Sequence, residues 1–285
     1  MTLNLEAFNC NELDQRKAYL LSPFGLGDTA ILCGLKSEIE KAYQEQVILV
    51  VKESHETILK MYEIEEYETY KNCRFDSNSN LLKIISDSVK FPQKGKLYVA
   101  HYDWSPKRRL LHIQDGNLFF GMLDFYKGFL GLTWECDFRY PRQVPRSIFV
   151  EDQLKIKLKL KGINAPLNKI CLLIPEVHSL SPLPVKYWCD LAEKVKDDGL
   201  IPVTSVCSED FEIPGIKNVS LTLQELITFS MLSAKVISMR SGLCDLIWPK
   251  GKDLYVVYPD IRTYYWGRLK SIFPDSDATE VIARS

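Results

Sequence analysis

Runs of apolar residues alternate with segments in which apolar positions recur every three or four residues. The run from Ala18 to Pro23 predicts a strand leading into a glycine-rich turn, and the next segment predicts an amphipathic helix from about Thr29 to Tyr43. Gln46 to Lys52 is almost continuously apolar, as in a buried parallel strand, and residues 54 to 62 predict another helix. This alternation predicts a doubly wound parallel sheet.

The remainder of the first half is less regular. We expect a helix over Leu81 to Ser88, a strand over Lys96 to Ala100, and a core helix over the aromatic stretch Leu118 to Leu132. Two prolines bound the segment Pro141 to Pro145, which predicts a domain linker within residues 140 to 147.

The second half repeats this order of elements. It predicts helices over Ile148–Lys161, Pro184–Asp197 (with Gly199 at its C-terminal end) and Leu223–Ser230. It predicts strands over Lys169–Pro175, Leu200–Val206, a short segment near Val219, Ala234–Met239 and Asp253–Tyr258. A chain of 285 residues is also long for a single core. We therefore predict two α/β domains, 1–145 and 146–285.

Composition excludes several classes of function. The chain is 46% hydrophobic and 26% charged, as in ordinary globular proteins, and its net charge of −1, without a basic stripe, argues against a nucleic-acid partner. The N-terminus does not resemble a signal peptide, and no window is apolar enough to span a membrane. None of the eight cysteines has CxxC spacing, so we expect buried thiols, with no metal site and no disulfide framework.

The first candidate site is the turn after the first strand, Gly25-Leu26-Gly27-Asp28. Its glycines would let the backbone approach a ligand, and Asp28 could remove a proton from an acceptor hydroxyl. The structural alternative is a turn in which Asp28 caps the helix at Thr29. The third glycine of a dinucleotide fingerprint is missing, which disfavours an oxidoreductase.

Two further candidate sites follow strands of the second half, where open α/β sheets bind ligands. The hydroxyls and amides of the loop after Pro175 could hold phosphates, with Lys186 a turn further on, or the segment could be a solvated loop. The candidate donor contacts in this loop are Glu176, His178, Ser179 and Ser181. The strand ending at Met239 is followed by Arg240, Ser241 and Gly242 at a predicted helix start, which suits a diphosphate. The alternative is an Arg240 that pairs with Asp245.

A strand of the first half is followed by His101, Tyr102 and Asp103, which could contact an acceptor sugar or belong to the core. The basic and aromatic cluster after it could form a peripheral membrane contact, and a solvated loop is the alternative; the cluster comprises Trp104, Lys107, Arg108 and Arg109.

The order of these segments resembles glycosyltransferase family 9, the lipopolysaccharide heptosyltransferase group. The matching segments are Leu26–Asp28, Leu123–Leu132, Leu172–Pro175, Tyr187–Glu193, Leu221–Leu226 and Ser241–Leu243. The resemblance spans nearly the whole chain as a series of short matches. It implies the GT-B architecture, with two Rossmann-like domains facing each other across a cleft.

The resemblance also implies a reaction. It implies inverting transfer of a sugar from a nucleotide-sugar donor to a glycan or lipid-linked acceptor, without metal or other cofactor, in the cytoplasm or at the inner face of a bacterial membrane. Asp28 would be the general base, and Gly25, Gly27, His101 and Asp103 would contact the acceptor. The 176–181 loop, Lys186, and the segment from Arg240 to Asp245 would hold the donor.

The sequence departs from the family pattern at that last segment. Family members have Asp-Ser/Thr-Gly followed by His, whereas here Arg240 replaces the Asp and Asp245 replaces the His. Ser181 also stands where the family has a phosphate-binding Lys, unless Lys186 has taken over that role. A relative that binds a sugar or a partner without catalysis is therefore the alternative function.

Overall fold

The computed structural model describes residues 3–5, 13–22, 25–75, 82–83, 94–95, 97–100, 122–133, 135–141, 148–177, 180–206 and 211–283. Its contacts divide the chain into two compact units, Met1–Arg142 and Gln143–Ser285, which we call unit 1 and unit 2. The predicted boundary at 145/146 falls outside the described residues. The acceptor and donor roles assigned to the two halves, and their facing across a cleft, stay predictions.

Unit 1 is built on a five-stranded sheet in which every pairing is parallel, with the order β4-β3-β2-β7-β6. A separate antiparallel pair joins β1 to β5. The described elements are β1 Leu3–Leu5, β2 Ala18–Leu21, α1 Leu26–Tyr43, β3 Val47–Lys52, α2 Glu56–Met61, β4 Tyr67–Tyr70, β5 Cys73–Phe75, β6 Leu82–Lys83, β7 Leu97–Val99 and α3 Met122–Phe129.

Helix α1 packs on this sheet through its buried N-terminal half. Gly34 lies on α1 where the segment around Phe138 crosses the helix, and its carbonyl accepts a hydrogen bond of 3.0 Å from the Arg139 amide. A Cβ atom at position 34 would come within 2.3 Å of the Phe138 ring and 2.7 Å of the Arg139 carbonyl oxygen. Only glycine allows this close approach.

Unit 2 is a six-stranded parallel sheet with the order β10-β9-β8-β11-β12-β13. Counted from the first strand of the unit, this is 3-2-1-4-5-6, the Rossmann order. The described elements are α4 Ile148–Leu160, β8 Ile170–Ile174, α5 Val185–Asp197, β9 Ile201–Thr204, β10 Lys217–Asn218, α6 Leu223–Leu232, β11 Lys235–Met239, α7 Gly242–Ile247, β12 Leu254–Tyr258, α8 Ile261–Gly267, α9 Leu269–Ile272 and β13 Thr279–Ile282.

Local sequence signals account for the ends of two helices of unit 2. Helix α6 begins with a capping box, in which the Thr222 hydroxyl accepts from the Glu225 amide and the Glu225 carboxylate accepts from the Thr222 amide. Helix α5 ends at Asp197, and Gly199, two residues further on, has a φ of +74°, the left-handed conformation that favours glycine after a helix end. The predicted C-terminus of this helix is confirmed.

The fold-class prediction of α/β structure with parallel sheets is confirmed, and most predicted elements are found within a few residues of their expected bounds. The helix predicted over Leu81 to Ser88 is wrong at Leu82–Lys83, which form a strand paired with β7. A short apolar run fits either structure, and here sheet pairing decides it. Helix α1 begins at Leu26, three residues before the predicted Thr29. The sequence reading did not identify β4, β13, α8 or α9.

The free thiols identified in the described part of the chain are those of Cys33, Cys136, Cys171, Cys189 and Cys244. Three are buried, and burial raises the pKa of Cys171 to about 12. Among the residues that the structure describes, every helix falls short of the length and apolarity needed to cross a bilayer.

Candidate functional site

The switch point of the unit 2 sheet lies between β8 and β11, where the strand order reverses. These strands are parallel neighbours with Ser238 opposite Ile174, so their carboxyl ends reach the same edge of the sheet. The residues that follow them are those predicted to bind the donor, Glu176 after β8 and Arg240 to Gly242 after β11. Ligands of open α/β sheets bind at this position.

Arg240 and Asp245 form a buried ion pair across the first turn of α7. The guanidinium Nη2 lies 2.7 Å from Asp245 Oδ1, and Nη1 lies 3.2 Å from Oδ2. The side chains are only 6% and 2% exposed. Burial opposes the charge on Arg240, but the neighbouring Asp245 carboxylate holds its pKa above the ordinary value. Arg240 therefore pairs with Asp245, as the alternative prediction for this residue requires, and the pair fixes the start of α7.

Residues from the following strands complete the environment of Arg240. Its Nε donates a hydrogen bond of 2.5 Å to the Gly267 carbonyl. Tyr258, at the end of β12, accepts from the Leu269 amide at 2.9 Å and lies 2.5 Å from Glu280 Oε1. Sequence reasoning did not identify Gly267, Tyr258 or Glu280, and the position of Tyr258 at a strand end was the only available signal.

Ser241 is the residue before α7, and Gly242 is the first residue of this helix. Ser241 as a whole is half-buried, but its hydroxyl oxygen is buried and has no hydrogen-bond partner in the described part of the chain. Next to it, the first amides of α7 lack intrahelical partners, as at every helix start.

The other predicted donor residues are less closely grouped. Glu176 is half-buried just after β8, whereas Ser181 is exposed. Lys186 lies on α5 with its ammonium 2.8 Å from Asp190, which raises the Lys186 pKa. The predicted contacts His178 and Ser179 lie outside the described residues.

In unit 1 the switch point lies between β2 and β7, and Asp28 follows β2 in the first turn of α1. Its carboxylate accepts from the Gly25 amide at 3.2 Å and from the Tyr126 hydroxyl of α3 at 2.7 Å. The aspartate therefore caps the helix, as the structural alternative requires, but at Gly25 and not at Thr29. Gly27 is buried, and Tyr126 is a contact that the sequence did not reveal.

The remaining predicted acceptor residues, His101 and Asp103, lie outside the described part of the chain, as does the basic and aromatic cluster at 104–109. Within the described ranges, no three His, Cys, Asp or Glu side chains are grouped so that they could hold a metal ion.

A buried hydrogen-bonded chain runs behind Asp28. The Thr29 hydroxyl lies 2.9 Å from the Ser22 hydroxyl and 2.8 Å from His55 Nδ1, and Tyr70 donates to the Ser22 carbonyl at 2.9 Å. Burial, with a smaller effect of Lys52, lowers the pKa of His55 to about 4. His55 is thus neutral in the native state at neutral pH.

This depressed pKa makes the stability of unit 1 depend on pH. Above about pH 6.5 neither the native nor the unfolded state protonates His55, whereas between about 6.5 and 4 only the unfolded state does so. We expect the His55 contribution to the free energy of unfolding to fall by about 2 kcal/mol between roughly pH 7.5 and 5. Urea unfolding at the two pH values measures it. His55→Asn keeps a hydrogen-bonding group near Thr29 but cannot titrate there, so its profile should be flatter; parallel profiles would contradict the assignment.

Comparisons with known proteins identify the fold. No protein-family model and no curated protein matches the sequence. Among solved structures, a glycosyltransferase family 9 protein from Veillonella parvula DSM 2008 aligns with 96% of this chain and 89% of its own, at a TM-score of 0.56 and 11% identity. The ADP-heptose lps heptosyltransferase II of E. coli aligns with 93% of this chain and 89% of its own, at the same TM-score and identity.

The bacterial iron-containing dodecameric glycosyltransferase TibC from enterotoxigenic E. coli H10407 aligns with 87% of this chain but 59% of its own, at a TM-score of 0.50 and 13% identity. These similarities confirm the resemblance to family 9 at the level of the fold.

Proposed function

We propose that this chain is an inverting, metal-independent glycosyltransferase that moves a sugar from a nucleotide-sugar donor to a glycan or lipid-linked acceptor. The observation that carries the proposal is the switch point of unit 2. There the loop that contains Glu176 follows β8 and the Ser241–Gly242 segment follows β11. These two strands are adjacent and parallel in a sheet with the Rossmann strand order. The setting would be the cytoplasmic side of a bacterial membrane, in surface polysaccharide or lipopolysaccharide synthesis.

The donor diphosphate would bind at the start of α7. The amides of Gly242 and Leu243 begin this helix and offer hydrogen-bond donors. The Ser241 hydroxyl has no hydrogen-bond partner in the described part of the chain, so it could donate to a phosphate oxygen. Arg240 is a positioning residue in this proposal, because its guanidinium is held by Asp245 and the Gly267 carbonyl. The Arg–Asp pair would hold the helix start in place, so that its amides face the departing diphosphate.

Asp28 of unit 1 would accept the proton of the acceptor hydroxyl. An inverting reaction needs one base on the acceptor and stabilisation of the leaving nucleotide, which Asp28 and the α7 segment could provide. The hydrogen bonds from Gly25 and Tyr126 would orient the carboxylate.

The same two hydrogen bonds favour the alternative, a sugar-binding or partner-binding relative without catalysis, because they give Asp28 a structural role that needs no reaction. The two functions differ in whether the carboxylate is required for turnover once binding is intact.

A thermal-shift screen against ADP, GDP, UDP, CMP and their sugar conjugates tests the donor site, because a ligand that binds the folded state raises the Tm. We expect one nucleoside diphosphate to give a selective shift. Ser241→Ala should leave the Tm of the free protein unchanged or raise it slightly, since it removes a buried hydroxyl without a partner, and should weaken nucleotide binding by about 10-fold or more.

Ser230→Ala is the matched control. The Ser230 hydroxyl is also buried, but it already donates to the Leu226 carbonyl at 2.8 Å in α6. This variant should lose a little stability and keep its nucleotide affinity. If no nucleotide shifts the Tm, or if both variants weaken binding equally, the donor site is not at α7.

A further inference from the structure

Helix α4 carries apolar side chains on two opposite faces. Leu154 and Leu158 are buried on the side that packs against α6. Phe149, Ile156 and Leu160 are 71%, 53% and 81% exposed. At about 100° per residue, these three positions fall within roughly 40° of one another and about opposite Leu158. We call Phe149, Ile156 and Leu160 the outer stripe.

The outer stripe is unusual for a solvent-facing surface. A helix at the surface of a globular protein normally turns polar residues outward. Among the described residues, every other exposed large apolar residue is at most 48% exposed, less than each member of the outer stripe. Exposed apolar side chains that share one face of a helix can mark an interaction site.

The charges beside the stripe are mainly positive. Lys155, Lys159 and Lys161 are exposed, and only Lys155 has an ion-pair partner within the described ranges, Asp152 at 3.2 Å. That pair is itself well exposed and therefore weak. Lys155 and Lys159 lie on one flank of the stripe together with the exposed Asp152. Lys157 lies on the other flank, where Glu225 neutralises it at 2.7 Å, and Lys161 follows the end of the helix. Three exposed lysines thus stand beside the apolar stripe against one exposed carboxylate.

The apolar surface continues on the lysine side of the helix. Lys155 and Lys159 border an open groove of about 770 Å³ whose walls also include Ile163, Pro166 and Leu232. The two ammonium groups therefore lie between the stripe and further apolar surface. Long lysine side chains can keep their charge in a polar layer while their stems cover apolar surface.

This combination fits the surface of an anionic membrane better than a second copy of the chain. In a symmetric dimer through this face, the lysines of one copy would lie near the lysines of the other, and like charges would repel. A bilayer interface offers acyl chains to the apolar residues and negative headgroups to the lysines. We propose that α4 is a peripheral membrane contact that inserts the outer stripe and binds anionic headgroups through Lys155, Lys159 and Lys161.

Co-sedimentation of the full chain with lipid vesicles tests this proposal. The protein should bind vesicles of phosphatidylcholine mixed with phosphatidylglycerol and bind pure phosphatidylcholine vesicles much more weakly. Replacing the three lysines with glutamine should lower binding by about 100-fold, at roughly five-fold per lysine. Replacing all three stripe residues with serine should lower it at least about 10-fold.

The matched control is the double variant Ile261→Ser, Tyr265→Ser, which removes two exposed apolar side chains from α8. It should sediment like the unchanged protein. Equal binding to both vesicle types, no binding, or equal loss in the control would overturn the proposal. A dimer that the stripe variant abolishes, without vesicle binding, would identify a second copy as the occupant instead. Nucleotide-induced Tm shifts should be the same in all variants, so failure of this proposal is distinguishable from failure of the donor site.

Discussion

Asp245→Asn should lower the free energy of unfolding of unit 2 by about 3–5 kcal/mol, because it leaves the buried Arg240 guanidinium without its counter-charge. The carboxylate contacts two nitrogens of the guanidinium at 2.7 and 3.2 Å, and neither side chain is exposed enough for water to replace it. Arg240→Met should cost a similar amount, since it strands the Asp245 carboxylate and removes the donor to the Gly267 carbonyl.

Urea unfolding followed by tryptophan fluorescence measures these changes, provided that the transition of unit 2 is resolved from that of unit 1. Replacing both residues with apolar side chains of similar volume should cost much less than the sum of the two single changes, because no isolated charge remains buried. Lys186→Ala is the control, since its pairing with Asp190 is well exposed and screened by solvent, so the free energy of unfolding should hardly change. Additive single changes would show that the two side chains do not act as a pair.

Asp28→Asn should reduce turnover of the donor found in the nucleotide screen by about 10²- to 10⁴-fold, the range expected when a general base is removed. Asparagine has nearly the same shape and can still accept from the Gly25 amide, while its NH₂ group can donate to the Tyr126 oxygen. The helix start and the donor affinity should therefore be retained. Release of the nucleoside diphosphate in the presence of acceptor measures the effect.

Two comparisons separate catalysis from capping at this position. Asp28→Ala should lose turnover and also about 1–3 kcal/mol of stability, because it leaves partners of the carboxylate unsatisfied. Tyr126→Phe removes the 2.7 Å hydrogen bond to the carboxylate and should lower turnover much less than Asp28→Asn. If Asp28→Asn turns over the donor normally while Asp28→Ala is merely less stable, Asp28 is a cap and the non-catalytic function gains support.

The sequence reading worked best where local signals are strong. Gly199 follows the end of α5 in the left-handed conformation, and the continuous apolar run at 47–52 forms a strand that is buried except at its last residue. It failed at Leu82–Lys83, where an apolar run too short to show a period forms a strand by pairing with β7. It also left the role of Arg240 open, because an arginine after a strand can face a ligand or a carboxylate.

By itself, the sequence determined the α/β class with parallel sheets and the strand ends at which polar residues gather, and it predicted a boundary between two halves within residues 140–147. These features follow from periodicity and turn chemistry, which act over a few residues. Only the tertiary structure decided that β8 and β11 are neighbours, that Arg240 is held by Asp245 and Gly267, and that Asp28 accepts from Tyr126 nearly one hundred positions away. Apart from the Arg240–Asp245 pair, those contacts join residues far apart along the chain, and only the folded arrangement of strands and helices brings them together.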